Sequence, residues 1–319
     1  MHEFEIIQTF FNKKSPHRPE VVLGIGDDAA IVSVPAQQQL VITTDTLVAG
    51  VHFFAETAAA DLGYKSLAVN LSDLAAMGAT PAWITLALTI PTNNEPWLKD
   101  FSAGFFELAK QYQMQLIGGD LTHGPLAITI QAMGLVPADK ALTRSGAKTG
   151  DLIYVSNYLG DAGIAVRYLQ KEILIAAEYQ QKFLQRLQRP EPRIKLGEKL
   201  RGIANACIDI SDGLAADLGH ILEMSKVGAR IDVEGIPFSE AMLATVTKEQ
   251  AIDIALNSGD DYELCFTVPT AKKAELENIA KECGIKVTAI GVISDEPGLI
   301  LQFADGKKYH GTIQGYQHF

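Results

Sequence analysis

Five stretches of this chain place aspartate directly beside a run of apolar residues, and this pairing constrains the fold more than any other feature of the sequence. The first is GIGDDAA at residues 24–30, between the apolar residues 21–23 and 31–32. The other four are TTD at 43–45, SD at 72–73, GGD at 118–120 and DISDG at 209–213. Because apolar runs are usually buried and aspartate usually is not, each stretch is predicted to lie at the end of a strand or helix.

The chain is organised around residues 24–30. Gly24 and Gly26 allow tight or left-handed backbone geometry, and the adjacent Asp27 and Asp28 would repel each other without a nearby cation. Taken alone, a polar hairpin turn explains this segment equally well. The recurrence of aspartate beside four further apolar runs favours a cation site.

The first half of the chain alternates between predicted strands and helices. Residues 61–77 have the apolar period of a helix that ends before Gly78, and residues 82–90 alternate like a strand with a buried face. The other elements predicted here are a short helix within residues 1–20, strands at 21–23, 30–34, 40–44, 114–117 and 126–136, and a helix at 95–113. This content predicts an α+β layer with two helices between strands.

The second half follows a polar segment, residues 137–150, which contains Arg144 and is predicted to be a loop between domains. A strand is predicted at 151–156, followed by several helices. Further strands are predicted at 206–210, 229–233, 263–268 and 286–293. With 319 residues and 47% hydrophobic content, the chain is long enough for two domains, which we place at 1–140 and 150–319.

The charge balance limits the partners of this chain. Its net charge is −11 and its pI is 5.1, and no Lys/Arg cluster indicates a nucleic-acid surface. Three widely separated cysteines fit a reducing cytoplasm better than a disulfide framework or a zinc site. No signal peptide and no apolar run of membrane-spanning length is apparent. We therefore expect a cytoplasmic protein that binds neither nucleic acid nor membrane.

The scattered aspartates are suited to Mg²⁺, which takes hard oxygen ligands and is usually held by one or two carboxylates with phosphate oxygens. Several such ions over a triphosphate would need aspartates from different elements, and the candidates are Asp28, Asp45, Asp73, Asp120, Asp209 and Asp212. For any one of them, a helix cap or a turn is the competing explanation. Asp73 fits that explanation least, because it lies inside a predicted helix between Leu71 and Leu74.

Two glycine-containing stretches have both a binding and a structural interpretation. GGD at 118–120 is predicted to end a strand, where exposed amides could hold a phosphate or the chain could simply turn. Residues 209–213 are predicted to lead from a strand into a helix, and an N-cap role is the structural explanation for one of Ser211 and Asp212. Capping does not require Asp209 as well. No phosphate loop is predicted, because SGAKTG at 145–150 neither follows a strand nor opens a helix.

Seven motifs together resemble the bacterial thiamine-monophosphate kinase family. In chain order they are GIGDDAA, TTDTLVAGVHF, DLGYKSLAVNLSDLAAMGA, LIGGD, ALTRSGAKTGD, IDISDGL and GDDYELCF. Each motif is weak alone, but the combination is specific and extends from about residue 20 to the C-terminus. The wider superfamily is similar to aminoimidazole ribonucleotide synthetase and shares a two-domain, ATP-using architecture.

The resemblance implies a PurM-like α+β N-terminal domain, whose sheet pairs across a homodimer and which binds ATP and Mg²⁺. It also implies a PurM-like α/β C-terminal domain that completes the nucleotide and substrate site. The implied activity is phosphorylation of thiamine monophosphate to thiamine diphosphate by ATP, with several Mg²⁺ ions. Because the attacking phosphate oxygen is already ionised at neutral pH, positioning and charge neutralisation would carry the catalysis.

The resemblance also implies the site residues, position by position. Metal positions fall on Asp28, Thr43, Thr44, Asp45, Asp73, Asp120, Asp209 and Asp212, and the catalytic set among them is Asp45, Asp73, Asp120 and Asp212. ATP contacts fall on Gly119, Asp120, Arg144 and Ser211, and substrate contacts on His52, Asp260 and Tyr316. The chain departs from the family pattern at Asp260, where glutamate is frequent, and at Leu121, where a small hydroxyl residue is usual.

Other activities of the superfamily stay open as alternatives. A selenophosphate synthetase would need a reactive cysteine near the N-terminus, but the first cysteine is Cys207. A hydrogenase-maturation relative would need a C-terminal cysteine, but the chain ends at Phe319. A purine-pathway synthetase is opposed mainly by the motifs. The alternative from another functional class is a protein that binds nucleotide without turnover.

Overall fold

The structure is a computed structural model that describes residues 2–12, 14–311, 313 and 315 of the chain. The chain divides into two compact units. Unit 1 comprises Met1–Leu74 and Ala79–Asp139, and unit 2 comprises Ala75–Gly78 and Lys140–Phe319. Within the described ranges, no helix is both long enough and apolar enough to span a membrane.

The first 139 residues contain a four-stranded sheet, a small hairpin and two long helices. In chain order the elements are α1 (Glu3–Ile6), a π-helical turn (Ile7–Phe11), β1 (Val21–Leu23), β2 (Ile31–Val32), β3 (Gln38–Val48), α2 (Ala59–Ala76), β4 (Thr80–Ile90), α3 (Glu95–Gln111), β5 (Gln115–His123) and β6 (Ala127–Pro137). The sheet order is β3-β6-β4-β5, with β6 antiparallel to both neighbours and β5 parallel to β4. Strands β1 and β2 form the separate hairpin.

The alternation that predicts a half-buried strand is confirmed in β4. Its aliphatic residues lie on a buried face, whereas Ala87 on the other face is exposed. Helices α2 and α3 pack closely because glycine lies at their contact. A Cβ at Gly63 of α2 would lie 2.1 Å from the Phe101 carbonyl oxygen, and a Cβ at Gly104 of α3 would lie 1.8 Å from that of Ala60.

Strand β5 corrects one prediction. The predicted strand at 114–117 continues to His123, so the prediction that GGD at 118–120 ends a strand is wrong. Gly119 lies in mid-strand beside Leu86 of β4, and a Cβ at Gly119 would lie 1.9 Å from the Leu86 carbonyl oxygen. Glycine is needed here because two paired backbones approach closely, a constraint that looks like a turn in the sequence.

Unit 2 is built on a six-stranded sheet of order β12-β9-β11-β7-β10-β8. Its elements are β7 (Leu152–Ser156), α4 (Asp161–Leu169), α5 (Ala177–Gln188), α6 (Ile194–Leu200), β8 (Ala206–Asp209), α7 (Leu214–Ser225), β9 (Gly228–Asp232), a 3₁₀ turn (Val233–Gly235), α8 (Glu240–Thr245), α9 (Lys248–Asn257), β10 (Leu264–Val268), a 3₁₀ turn (Thr270–Lys272), α10 (Lys273–Cys283), β11 (Val287–Ser294) and β12 (Gly298–Gln302). The five strands predicted after residue 150 are confirmed with small shifts in their ends.

Strand β12 was not predicted, because its short apolar run is too brief to establish a period. It pairs in parallel with β9, while the other neighbours in this sheet are antiparallel. The main apolar core of unit 2 includes Leu218 and Ile221 of α7 together with residues of the sheet. Ser211, Asp212 and Asp260 lie in the two segments that join β8 to α7 and α9 to β10, Asp209 ends β8, and Arg144 lies in the loop before β7.

Candidate active site

Thr43, Asp45 and Asp73 form a polar cluster in unit 1. Thr43 and Asp45 lie on one face of β3, because side chains two residues apart in a strand point the same way. The Thr43 hydroxyl donates a short hydrogen bond to Oδ2 of Asp73 on α2. Burial raises the pKa of Asp45 to about 7, and the charge and hydrogen bond of Asp73 add to the increase. Two contacting carboxylates of this kind need a proton or a cation.

The position of Asp73 is unfavourable for a carboxylate within a helix. It lies in the last turn of α2, which ends at Ala76, where the negative end of the helix dipole disfavours a carboxylate. The neighbouring Ser72 and Asn70 are buried, so this part of the helix is not a solvated surface. Asp73 therefore lies inside the helix, as predicted, and its assignment to a metal site stays a prediction.

Thr44 and Asp120 lie on the other face of the same sheet. Thr44 is exposed on β3, where its hydroxyl is 3.4 Å from the Nε2 of Gln131. Asp120 is exposed on β5 opposite Ala87, and its Oδ2 accepts a hydrogen bond from Thr122 at 3.2 Å. The structure does not bring Asp120 to the cluster of Asp45 and Asp73, because two strands separate β5 from β3.

Asp28 and His52 lie in two different turns of unit 1. Asp28 is exposed after β1, and its backbone N–H donates to Oδ1 of Asp27 at 2.8 Å. His52 follows β3, and its Nδ1 accepts the Val48 N–H at 3.0 Å. A neutral His52 therefore carries its proton on Nε2. In the described part of the chain, no three His, Cys, Asp or Glu side chains are grouped to hold a metal.

The capping explanation for Ser211 or Asp212 does not hold in helix α7. Gly213, with φ 113°, is the N-cap, and no side chain caps it. The backbone N–H groups of Ser211 and Asp212 instead donate to Oδ2 of Asp217, each at 3.0 Å. Burial raises the pKa of Asp217 to about 7, although these backbone donors oppose the increase. Asp217 thus holds the segment that precedes the helix, and the side chains of Ser211 and Asp212 do not cap α7.

Arg144 lies in a loop that is hydrogen-bonded to Ser225, the last residue of α7. This hydroxyl donates to the Arg144 carbonyl and accepts the N–H groups of Gly146 and Ala147, all at 3.1 Å. Gly146 has φ 119°, and a Cβ there would lie 2.5 Å from the Asn205 carbonyl oxygen. The predicted loop at 137–150 is confirmed, and its conformation around Arg144 is set by specific contacts.

The loop before β10 lies directly beside the loop after β8. The Asp260 N–H donates to the Ser211 carbonyl at 3.0 Å, and the Tyr262 N–H donates to the Ile210 carbonyl at 2.8 Å. A Cβ at Gly259 would lie 2.0 Å from the Ser211 carbonyl oxygen. Asp209, the last residue of β8, is buried and pairs with Leu264. The structure therefore brings Asp209, Ser211, Asp212 and Asp260 into one region of unit 2.

Two buried carboxylates in this region were missed by the sequence reasoning. Asp261 is 2% exposed and Glu263 is fully buried, and they flank Tyr262 in the motif GDDYEL. The sequence signal for them is the group of acidic residues directly before an apolar strand. An acidic residue that is buried at such a place needs a hydrogen-bond donor or a cation from another part of the chain. Tyr316, the predicted aromatic contact, lies outside the described residues.

Comparison with known proteins identifies the family. Residues 26–136 match the model of the AIR synthase related protein, N-terminal domain, and residues 148–304 match that of the AIR synthase related protein, C-terminal domain. A thiamine-monophosphate kinase of Escherichia coli strain K12 is 48% identical over 321 residues, covering 99% of this chain and 98% of that protein. The chain belongs to the thiamine-monophosphate kinase family.

Solved structures of the thiamine-monophosphate kinase family superpose on this chain. The enzyme of Stenotrophomonas maltophilia is 47% identical, covers 92% of this chain and 93% of its own, and has a TM-score of 0.86. A structure described as AaThiL complexed with AMPPCP and TMP is 31% identical, covers 92% of both chains and has a TM-score of 0.79. These matches confirm the predicted two-domain PurM-like fold.

Proposed function

We propose that this protein transfers the terminal phosphoryl group of ATP to thiamine monophosphate, giving thiamine diphosphate and ADP. The observation that carries this conclusion is the full-length similarity to thiamine-monophosphate kinases, at 48% identity with the Escherichia coli protein. A relative of the same fold binds AMPPCP and TMP, which we take as an ATP analogue and thiamine monophosphate. ATP is thus a co-substrate and thiamine monophosphate the acceptor.

Transfer of a phosphoryl group to thiamine monophosphate depends on charge neutralisation more than on a general base. The acceptor is a phosphate oxygen that is ionised at neutral pH, and it must approach a second anion. Phosphoryl transfer between such groups is catalysed mainly by positioning and electrostatic stabilisation. This explains how an acidic protein with net charge −11 can use a nucleotide, provided that it recruits cations locally.

The donor set in unit 1 fits Mg²⁺. Thr43, Asp45 and Asp73 offer only oxygen atoms, and the contact of two carboxylates is stabilised by a divalent cation. The other residues that we propose as Mg²⁺ ligands are Asp28, Thr44, Asp120, Asp209 and Asp212. When bound, the ions would neutralise the charge on the phosphate oxygens. The carboxylates of Asp45 and Asp73 would hold such an ion beside α2 and β3.

The remaining roles are assigned from the family resemblance. Arg144 would hold a phosphate of ATP through a bidentate contact, with Gly119 and Ser211 as further nucleotide contacts. Asp260 would accept from the exocyclic amine of the aminopyrimidine, and His52 would lie on the substrate phosphate side. We also place Tyr316 against the rings of thiamine monophosphate.

We further propose that the exposed face of the four-stranded sheet pairs with that of a second copy. Ala87 of β4 and the Thr44 and Thr46 side chains of β3 are exposed on this face, and small or hydroxyl residues suit the packing of one sheet on another. Light scattering at micromolar protein should give twice the 34.5 kDa mass of one chain. A species of 34.5 kDa alone would contradict the dimer.

The test of the function is mass detection of products after incubation with ATP, Mg²⁺ and thiamine monophosphate. We expect thiamine diphosphate and ADP in equal amounts. Unphosphorylated thiamine should be a poor acceptor, because its hydroxyl lacks the charge that cations and amides would hold. Efficient turnover of thiamine, or ATP binding without product, would favour a different synthetase or a nucleotide-binding protein instead.

A further inference from the structure

The loop that carries Asp260 has an unusual backbone. Asp260 has φ 68° and Tyr262 has φ 50°, so two non-glycine residues adopt the left-handed region that side chains other than glycine disfavour. Each of their N–H groups donates to a carbonyl of the 210–211 segment. Such a conformation persists only where the surrounding structure holds it in place.

Asp261, in the middle of this loop, binds the backbone of Gly160. It is 2% exposed, and both its carboxylate oxygens accept the Gly160 N–H, at 3.0 and 2.8 Å. Gly160 has φ 87°, and a Cβ there would lie 2.7 Å from the Met242 Cε. The position of Asp261 thus depends on a second constrained backbone site.

Glu263, directly after the loop, accepts more hydrogen bonds than Asp261 does. Its side chain is fully buried and accepts hydrogen bonds from Ser156 at 2.5 Å and Asn157 at 3.0 Å. It also accepts one from Arg186 at 2.7 Å and two from Arg193, at 2.7 and 2.6 Å. Arg186 lies on α5, and Arg193 directly precedes α6. The carboxylate therefore ties three separate parts of unit 2 to the loop.

Stability alone does not account for this network. A buried ion pair is often no more stabilising than apolar residues of the same volume, and its better-attested use is to select one conformation. Arg193 also contacts Glu191 at 2.8 Å, but that carboxylate is 64% exposed. Glu263 and Glu191 thus bind the same guanidinium, but only Glu263 is buried and directly follows the loop. Glu191 can therefore serve as the control position for Glu263.

We propose that Glu263, held by Arg186 and Arg193, is a positioning residue that fixes the strained loop at residues 259–262 and so sets the affinity for thiamine monophosphate. This inference rests on the proposed function, in which Asp260 contacts that substrate. Glu263 does not touch the substrate and acts through the backbone of Asp260 and Tyr262.

The test compares Glu263→Gln with Glu191→Gln in the full-length protein. For Glu263→Gln we expect the KM for thiamine monophosphate to rise by about tenfold, the size expected for weakened hydrogen bonds to charged groups, with a smaller change in the KM for ATP. Glu263→Asp, which keeps the charge, should recover part of the loss. Glu191→Gln should change neither constant. Equal increases in both constants for Glu263→Gln, or none, would overturn the proposal.

Hydrogen exchange separates the positioning role from the substrate assignment. The amides of Asp260 and Tyr262 should exchange faster in Glu263→Gln than in the wild-type protein, without any substrate present. Unchanged exchange overturns the positioning role, whereas a wild-type protein without thiamine monophosphate kinase activity overturns the proposed function. If Glu263→Gln does not fold, Arg186→Lys replaces it, because it alters one of the two arginine partners and keeps the charge.

Discussion

Asp45 in unit 1 is a partly buried carboxylate and Glu263 in unit 2 a fully buried one, and their surroundings differ. Asp45 contacts a second carboxylate, Asp73, and its pKa is raised to about 7 by burial and by that neighbour. Burial alone would raise the pKa of Glu263 as well, but the hydrogen bonds and charges of Arg193 and the charge of Arg186 lower it. Among the described residues, none of the groups that shift the pKa of Asp45 is a cation, whereas two arginines act on Glu263.

This difference separates two uses of a buried negative charge. A carboxylate that must bind an exchangeable cation cannot already be neutralised by an arginine of the protein. A carboxylate that holds the backbone in place needs such a partner, because an uncompensated buried charge is costly. Asp45, whose pKa is raised by its contact with Asp73, therefore matches the first use, and Glu263 matches the second.

The largest expected effect is on stability at Glu263. Glu263→Ala should lower the free energy of unfolding by about 3–5 kcal/mol, because it leaves two arginines without their buried partner. Urea unfolding measures the change. Asp73→Asn should instead leave stability unchanged or raise it, since it removes a repulsion. A comparable loss of stability in both variants would contradict the proposal that the two carboxylates have different roles.

The next effect is on turnover at Asp73. Asp73→Asn should lower kcat by about 10²–10³-fold, the usual cost of losing one electrostatic contact in the transition state. Asp100→Asn, an exposed aspartate on α3, is the control and should retain wild-type turnover. Near-normal activity of Asp73→Asn at low Mg²⁺ would show that this carboxylate does not hold a catalytic ion.

Mg²⁺ itself should distinguish the two regions. At roughly one hundred times its Kd, Mg²⁺ should stabilise the wild-type protein by about 2.7 kcal/mol, measured as a shift in Tm without nucleotide. The shift should shrink in Asp73→Asn and persist in Arg186→Lys, because only the first variant changes a proposed ligand. An equal shift in both variants would place the ion elsewhere.

The smallest expected effect concerns the loop of Arg144. Ser225→Ala removes the hydroxyl that contacts Arg144, Gly146 and Ala147. At about 1 kcal/mol for an exposed hydrogen bond, the KM for ATP should rise by about fivefold. The KM for thiamine monophosphate in the same variant is the control, and a matching rise there would argue against a nucleotide role for this loop.

Local pattern was sufficient where burial and period determine structure. The alternation in β4 and the long apolar period of α2 predicted both elements, and an aspartate without a capping role in α2 correctly indicated an unusual environment for Asp73. These predictions depend only on which side chains face the core, which neighbouring residues in the sequence determine.

The prediction for residues 118–120 failed because a distant segment decided the conformation. The sequence around Gly119 predicted a strand end, but the close backbone of Leu86 in β4 requires glycine at that point of β5. The capping explanation for Ser211 failed for a local reason, because α7 begins only at Leu214 with Gly213 as its N-cap. The partner of Gly119 is recognised only when the chain has folded.

The sequence by itself determined the family and the order of most strands and helices, because these depend on residue types at short spacing; the assignment of the aspartates to cations stays a prediction. The tertiary structure alone decided that Asp45 and Asp73 meet, that Asp120 lies on the other face of their sheet, and that Glu263 binds two arginines. Contacts between residues far apart in the chain depend on strand pairing and packing, which no local spacing records.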